Sequence, residues 1–170
     1  MQQHKGNIMS PERILTKLGI TKVITANADD TVEQVLHLLD KKQVRAVPIL
    51  DNEGVFKGMF STHEVIKALV PSYMVGGLQT LDFATGASTQ LASNLHKLFP
   101  QRVGDIVSKE DTVSLTDKTH TWEALRMLTK YGSPIPAIGP NGHLIGLISE
   151  QSAIQALLQM DAPDIENDEE

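Results

Sequence analysis

The chain is written twice. Residues 47–70, VPILDNEGVFKGMFSTHEVIKALV, lie over residues 135–158, IPAIGPNGHLIGLISEQSAIQALL, at a constant shift of 88 with no gap. Over positions 48–70 the pairs Pro48/Pro136, Gly54/Gly142, Gly58/Gly146, Ser61/Ser149, Ile66/Ile154, Ala68/Ala156 and Leu69/Leu157 are identical. That is seven of 23 positions, where average residue usage gives about one or two. Upstream, TVEQVLHLLDKK (31–42) matches HTWEALRMLTKY (120–131) at a shift of 89, so the second copy is one residue shorter between its helix and the next strand. A repeat of this kind restricts the chain to two copies of one supersecondary unit.

Each copy reads the same way. Val32, Val35, Leu36 and Leu39 stand at i, i+3, i+4 and i+7, an amphipathic helix, and Thr31 with Gln34 has the spacing of a capping box. VRAVPIL and VFKGMF are short apolar runs joined by DNEG, a four-residue turn ending in glycine, which predicts a hairpin. Ser61 then caps a second helix. The second copy repeats the order as strand VSLT, helix TWEALRMLTKY, strand IPAI, turn GPNG, strand HLIGLI and a helix over 150–159. The fold class is therefore mixed α/β (α+β), with β-α-β-β-α occurring twice. The boundaries are 1–70 for the first repeat, 71–102 for a linker, 103–160 for the second repeat and 161–170 for a tail. The linker carries its own helix, with Leu91, Leu95, Leu98 and Phe99 in helical register until Pro100. Residues 10–19, opened by Ser10 and Pro11 and closed by Gly19, predict a further short helix.

Charge decides between classes of partner. The 21 acidic and 15 basic residues give −6, but DAPDIENDEE at the end holds six of the acids, so residues 1–160 are balanced. A neutral body with no basic run longer than Lys41-Lys42 argues against nucleic acid. The tail is expected to be disordered and dispensable. The longest lightly charged stretch, Ala68 to His96, is broken by Pro71, Gly76, Gly77 and Gly86, so no membrane span is expected. The absence of cysteine excludes disulfides and thiol chemistry and fits a cytoplasmic chain.

Three sets of residues carry a resemblance: Asn7-Ile8-Met9 with Asp105-Ile106-Val107, Val47-Pro48-Ile49 with Ile135-Pro136-Ala137, and Gly58-x-x-Ser61 with Gly146-x-x-Ser149. Each copy resembles a CBS (cystathionine beta-synthase) domain, and the two together resemble the tandem pair called a Bateman module, of the stand-alone bacterial kind. The resemblance implies repeats related by pseudo-twofold symmetry, a homodimer, and binding of adenosine-containing ligands (AMP, ADP, ATP or S-adenosylmethionine) in clefts between copies. It implies one well-equipped cleft, joining Arg45, Ser61, Thr62, His63 and Glu64 to Val113, Ser133 and Pro134, and a weaker one at Ile24, Ala46, Ser149 and Ser152. Family members often place Asp three residues after the motif serine, where its carboxylate meets a ribose diol; here those positions are Glu64 and Ser152. Arg45 and His63, near the implied phosphate contacts, have Ser133 and Gln151 as repeat mates.

Plainer readings of the same residues stand beside these. Ser61-x-x-Glu64 is a complete capping box without any ligand, and Ser149 is a sufficient N-cap with Glu150 favoured by the helix dipole. Pro48 and Pro136 suit edge strands, and Trp122 suits an exposed contact between subunits. The six histidines include no i, i+3 or i, i+4 pair, so no metal site is expected. No nucleophile constellation or cofactor motif is present, so neither enzymatic activity nor a cofactor is expected. Two functions follow: a regulatory module sensing an adenosyl ligand on behalf of an unidentified regulated protein, or a ligand-free dimerisation adaptor with vestigial clefts. In either case a homodimer is expected through helix faces bearing Val65 and Leu69 and bearing Ala153 and Leu157.

Overall fold

The computed structural model describes residues 22–70 and 87–158. The helix expected at 10–19, the first half of the linker and the acidic tail lie outside the described residues. Among the described residues two compact units are present: Ile24–Thr112 together with Asn141–His143, and Val113–Pro140 together with 144–158.

In the first unit β1 (Ala26–Asn27), α1 (Val32–Lys42), β2 (Ala46–Leu50), β3 (Phe56–Ser61) and α2 (Thr62–Leu69) are followed by the linker helix α3 (Ala87–Leu98). Thr31 opens α1 as its spacing predicts. Its hydroxyl accepts the Gln34 N–H at 3.3 Å, and the Gln34 side-chain oxygen accepts the Thr31 N–H at 2.8 Å. The three-stranded sheet has the order β1-β2-β3, parallel then antiparallel. In the DNEG turn, Asp51 Oδ1 accepts the N–H groups of Val55 at 2.9 Å and Glu53 at 3.0 Å, and Gly54 takes φ +80°. The Val55 bond is the main reason the Asp51 carboxyl is held below its ordinary value, with Lys57 at 3.6 Å adding to it.

Pro48 corrects an expectation. It lies in the central strand, not at an edge. Leu50 O accepts the Ala28 N–H at 2.7 Å, so residue 50, and by strand alternation residue 48, turns its backbone polar groups toward β1. β1 pairs only with Ile49 and Leu50, and the β2–β3 ladder asks nothing of the Pro48 nitrogen. Pro136 holds the matching position in the other sheet, also in a central strand.

The core of this unit joins Val32, Val35 and Leu39 of α1 to Val47, Ile49, Phe60 and Val65, all buried. Val103 is fully buried in the same core, although it stands at the head of the second sequence repeat. The segment after α3 reaches it by capping α1: Gln101 O accepts the Val32 N–H at 2.9 Å and Phe99 O accepts the Glu33 N–H at 3.3 Å. Gly58, at φ +154°, leaves room for this segment, since a Cβ there would stand 2.9 Å from Val107 Cβ. Leu95, Leu98 and Phe99 lay the end of α3 on the core, and α3 packs along α2.

The second unit repeats the order with β4 (Leu115–Thr116), α4 (Thr121–Tyr131), β5 (Ile135–Ile138), β6 (Leu144–Ile148) and α5 (Glu150–Leu158), and with sheet order β4-β5-β6. Its core is Leu115, Ala124, Leu128, Ile135, Ala137, Ile148, Ala153 and Ala156. The helix faces expected to be open are corrected here. Val65 and Ala153 are buried within their own units and Leu69 is partly so, because Val65 and Leu69, at i and i+4, face their own sheet, whereas of the pair on α5 only Ala153 is buried and Leu157 is exposed as expected. About a third of a turn away, the repeat mates Ile66 and Ile154 are 57% and 56% exposed, with Leu157 and Leu158 also exposed. Trp122, at the start of α4, is 84% exposed.

Candidate functional site at the N-terminus of α2

The register of the hairpin assembles this site within the first unit. Ala46 pairs with Ser61 across β2 and β3, so Arg45, 16 residues earlier than Ser61 in sequence, stands beside the first turn of α2. Ser61 caps that helix: its Oγ accepts the His63 N–H at 3.1 Å, and Glu64 Oε2 accepts both the Ser61 N–H at 3.0 Å and the Ser61 hydroxyl at 2.5 Å. The capping-box reading of Ser61 and Glu64 is therefore realised, a device worth about 1 kcal/mol. Arg45, Thr62 and His63 are exposed, and Ser61 and Glu64 are half-buried. Among the described residues Arg45 forms no ion pair. Ile24 and Ala46 are half-buried in the same unit, Ile24 against its core. The arrangement offers an uncompensated cation beside a helix N-terminus, which together suit an anion.

The second unit builds the matching corner with different charge. Ile135 pairs with Ile148, which brings Ser133 and Pro134 beside Ser149 and Glu150. The Ser133–Pro134 peptide is cis. Ser149 Oγ accepts the Ser152 N–H at 3.1 Å, and Ser152 Oγ accepts the Ser149 N–H at 2.9 Å while donating to the Ser149 carbonyl at 3.0 Å. Ser152 thus closes a cap of its own and is buried. Glu150 occupies the position of Thr62, and a hydrogen bond from the Ser133 side chain is the main cause holding its carboxyl below the usual range. An ionised carboxylate at this helix start opposes a second anion. Val113 is half-buried against this unit's core.

Two features escaped the sequence reading. The sequence reading treats Glu150 only as a partner of the helix dipole, although its alignment with Thr62 already gives the two corners different charge. Thr112, whose hydroxyl accepts the Met59 N–H at 3.4 Å beside the end of β3, carried no local signal at all. Among the described residues there is no group of three or more side chains able to hold a metal ion, and no helix is long and apolar enough to cross a membrane.

Comparison with known proteins places this geometry. The profile of the CBS domain matches residues 14–71 and again residues 103–159. An uncharacterized protein of Methanocaldococcus jannaschii is 21% identical over 156 residues, covering 86% of this chain and 93% of that protein. The chloroplastic CBS domain-containing protein CBSX2 of Arabidopsis thaliana is 25% identical over 164 residues, covering 91% of this chain, which spans 63% of that relative's length. The crystal structure of CBSX2 in complex with AMP superimposes with a TM-score of 0.61 at 19% identity, covering 85% of this chain and 96% of that one. With two matched segments that together take up well over half of its length, the chain belongs to the CBS domain family and carries the domain as a tandem pair.

Proposed function

We propose that this chain is a regulatory module, not an enzyme, that senses an adenosine-containing nucleotide at the N-terminus of α2. One observation carries the proposal: the β2–β3 register sets Arg45 beside the turn formed by Ser61, Thr62, His63 and Glu64. The phosphate is assigned to Arg45 and the helix terminus. The corner at Ser149 and Ser152 is the weaker site, since Glu150 and Ser133 stand where the first repeat has Thr62 and Arg45. A relative of the same architecture crystallised with AMP supports the ligand class. A cysteine-free chain of this kind suits the cytoplasm.

Thermal unfolding with AMP, ADP, ATP and S-adenosylmethionine tests the reading. At a hundredfold excess over Kd a one-site ligand stabilises by about 2.7 kcal/mol, a rise of roughly 5–10 °C for a chain of this size. No rise with any of the four compounds would favour the other function, a ligand-free adaptor. That alternative draws on one observation, the engagement of both Glu64 and Ser152 in caps.

The proposal includes a homodimer formed through α2 and α5. Ile66 and Ile154 are large apolar side chains left exposed at equivalent positions of the two repeats. Light scattering at micromolar concentration is expected to give twice the 18.6 kDa of the chain, and a value of 18.6 kDa refutes the dimer.

A further inference from the structure

The side-chain amide of an asparagine is open to attack by the backbone nitrogen of the residue after it, unless hydrogen bonds hold the amide and that N–H in place. Four asparagines lie among the described residues, and three are held in both ways. Asn27 donates to Asn52 Oδ1 at 2.8 Å and accepts the Asp29 N–H at 2.8 Å, while the Ala28 N–H goes to Leu50 O at 2.7 Å. Asn52 also donates to Asp29 Oδ2 at 3.3 Å, and the Glu53 N–H goes to Asp51 Oδ1 at 3.0 Å. Asn94 accepts from the Gln90 side chain at 3.0 Å within α3, whose own ladder takes the Leu95 N–H. Asn141 is the exception. It is exposed in the turn between β5 and β6, and among the described residues neither its side chain nor the Gly142 N–H has a hydrogen-bond partner. It is also the one asparagine of the whole sequence that glycine follows, and glycine has no Cβ to crowd the approach.

We propose that Asn141 is a site of spontaneous covalent modification, deamidated through the nitrogen of Gly142. That nitrogen loses its proton to solvent and bonds to Asn141 Cγ. The Cγ–Nδ2 bond breaks, ammonia leaves, and a cyclic imide remains. Water then adds to one of the two imide carbonyls. Opening at Cγ gives aspartate, and opening at the main-chain carbonyl gives isoaspartate, which lengthens the main chain by one carbon just before Gly142. The longer chain disturbs its surroundings, because Gly142 O accepts the Phe56 N–H at 2.9 Å and His143 is bridged to Val55.

Peptide mapping by mass spectrometry, on the full chain kept folded at mildly alkaline pH, tests the proposal. The expected result is loss of the amide at Asn141 before any loss at Asn27, Asn52 or Asn94, with isoaspartate among the products and a rate that rises with pH. The aged chain is also expected to melt below the fresh one, a loss that Asn141→Ser abolishes. An Asn141 that stays intact in the folded chain and converts only in urea overturns the proposal. Earlier conversion at another described asparagine, or an equal fall in melting temperature in aged Asn141→Ser, does the same.

Discussion

Phe60→Ala is expected to lower the unfolding free energy by about 3–5 kcal/mol, the range for truncating a fully buried aromatic side chain. Phe60 has no exposed surface and sits in one core with Val47, its partner across the hairpin, and with Val35, Ile49, Val65 and Val103. That core is contributed by α1, the hairpin, α2 and the segment after the linker helix, so no neighbouring element can close the cavity without dragging another out of place. Lys57, three positions earlier on the same strand, is the contrast. Its side chain is exposed and its ion pair with Asp51 spans 3.6 Å in solvent, so Lys57→Ala should cost under about 1 kcal/mol. Urea unfolding followed by circular dichroism measures both. A Phe60→Ala cost below about 1 kcal/mol would contradict the packing described here.

Where the order of elements came through in the sequence, it did so through short-range signals. The helix expected over TWEALRMLTKY forms at Thr121–Tyr131, the strand IPAI at Ile135–Ile138, and the Thr31–Gln34 capping box closes as its spacing requires. Such features depend on neighbours within four residues. The fate of residues 99–107 does not. Helical spacing shows that Leu95, Leu98 and Phe99 seek a buried surface, but the carbonyls of Phe99 and Gln101 cap a helix that begins some 70 residues earlier. Pro48 departs from the edge-strand expectation for a related reason: its tolerance in a central strand depends on β1 being only two residues long. In α2 the run Val65-Ile66-Lys67-Ala68-Leu69 is apolar around most of its circumference, so composition alone could not decide whether Val65 or Ile66 faces the sheet.

The site was legible as a list of side chains and less so as chemistry. Ser61 and Glu64 were read both as a cap and as ligand contacts, and the structure shows the cap made in full. Spacing could not reveal that the hydroxyl of Ser152 would take over the reciprocal role of the glutamate, because serine at that position has no established cap pattern comparable to Ser-x-x-Glu. The resemblance points to Arg45, and strand register supplies the physical reason, setting it opposite a turn that primary sequence keeps 16 residues away from it.

Arg45→Ala is the sharper test of what that turn is for. Its side chain is exposed and has no described ionic partner, so folding stability should change by no more than about 0.5 kcal/mol. Nucleotide affinity should respond quite differently. A charge-assisted hydrogen bond to phosphate is worth about 1.5–3 kcal/mol, so AMP or ATP should bind roughly 10- to 150-fold more weakly to the variant, while adenosine, which lacks the phosphate, should lose little. Calorimetry should also give one nucleotide per chain. At the corner of Ser149 and Ser152 the position of Arg45 is held by Ser133 and that of Thr62 by Glu150, whose carboxyl is held below its usual range chiefly by the Ser133 hydrogen bond. Equal losses for AMP and adenosine would show that Arg45 shapes the turn instead of holding the anion. Two nucleotides per chain, both indifferent to Arg45→Ala, would show that backbone groups at the two helix starts set the affinity, and the difference in charge between the two corners would then have no part in binding.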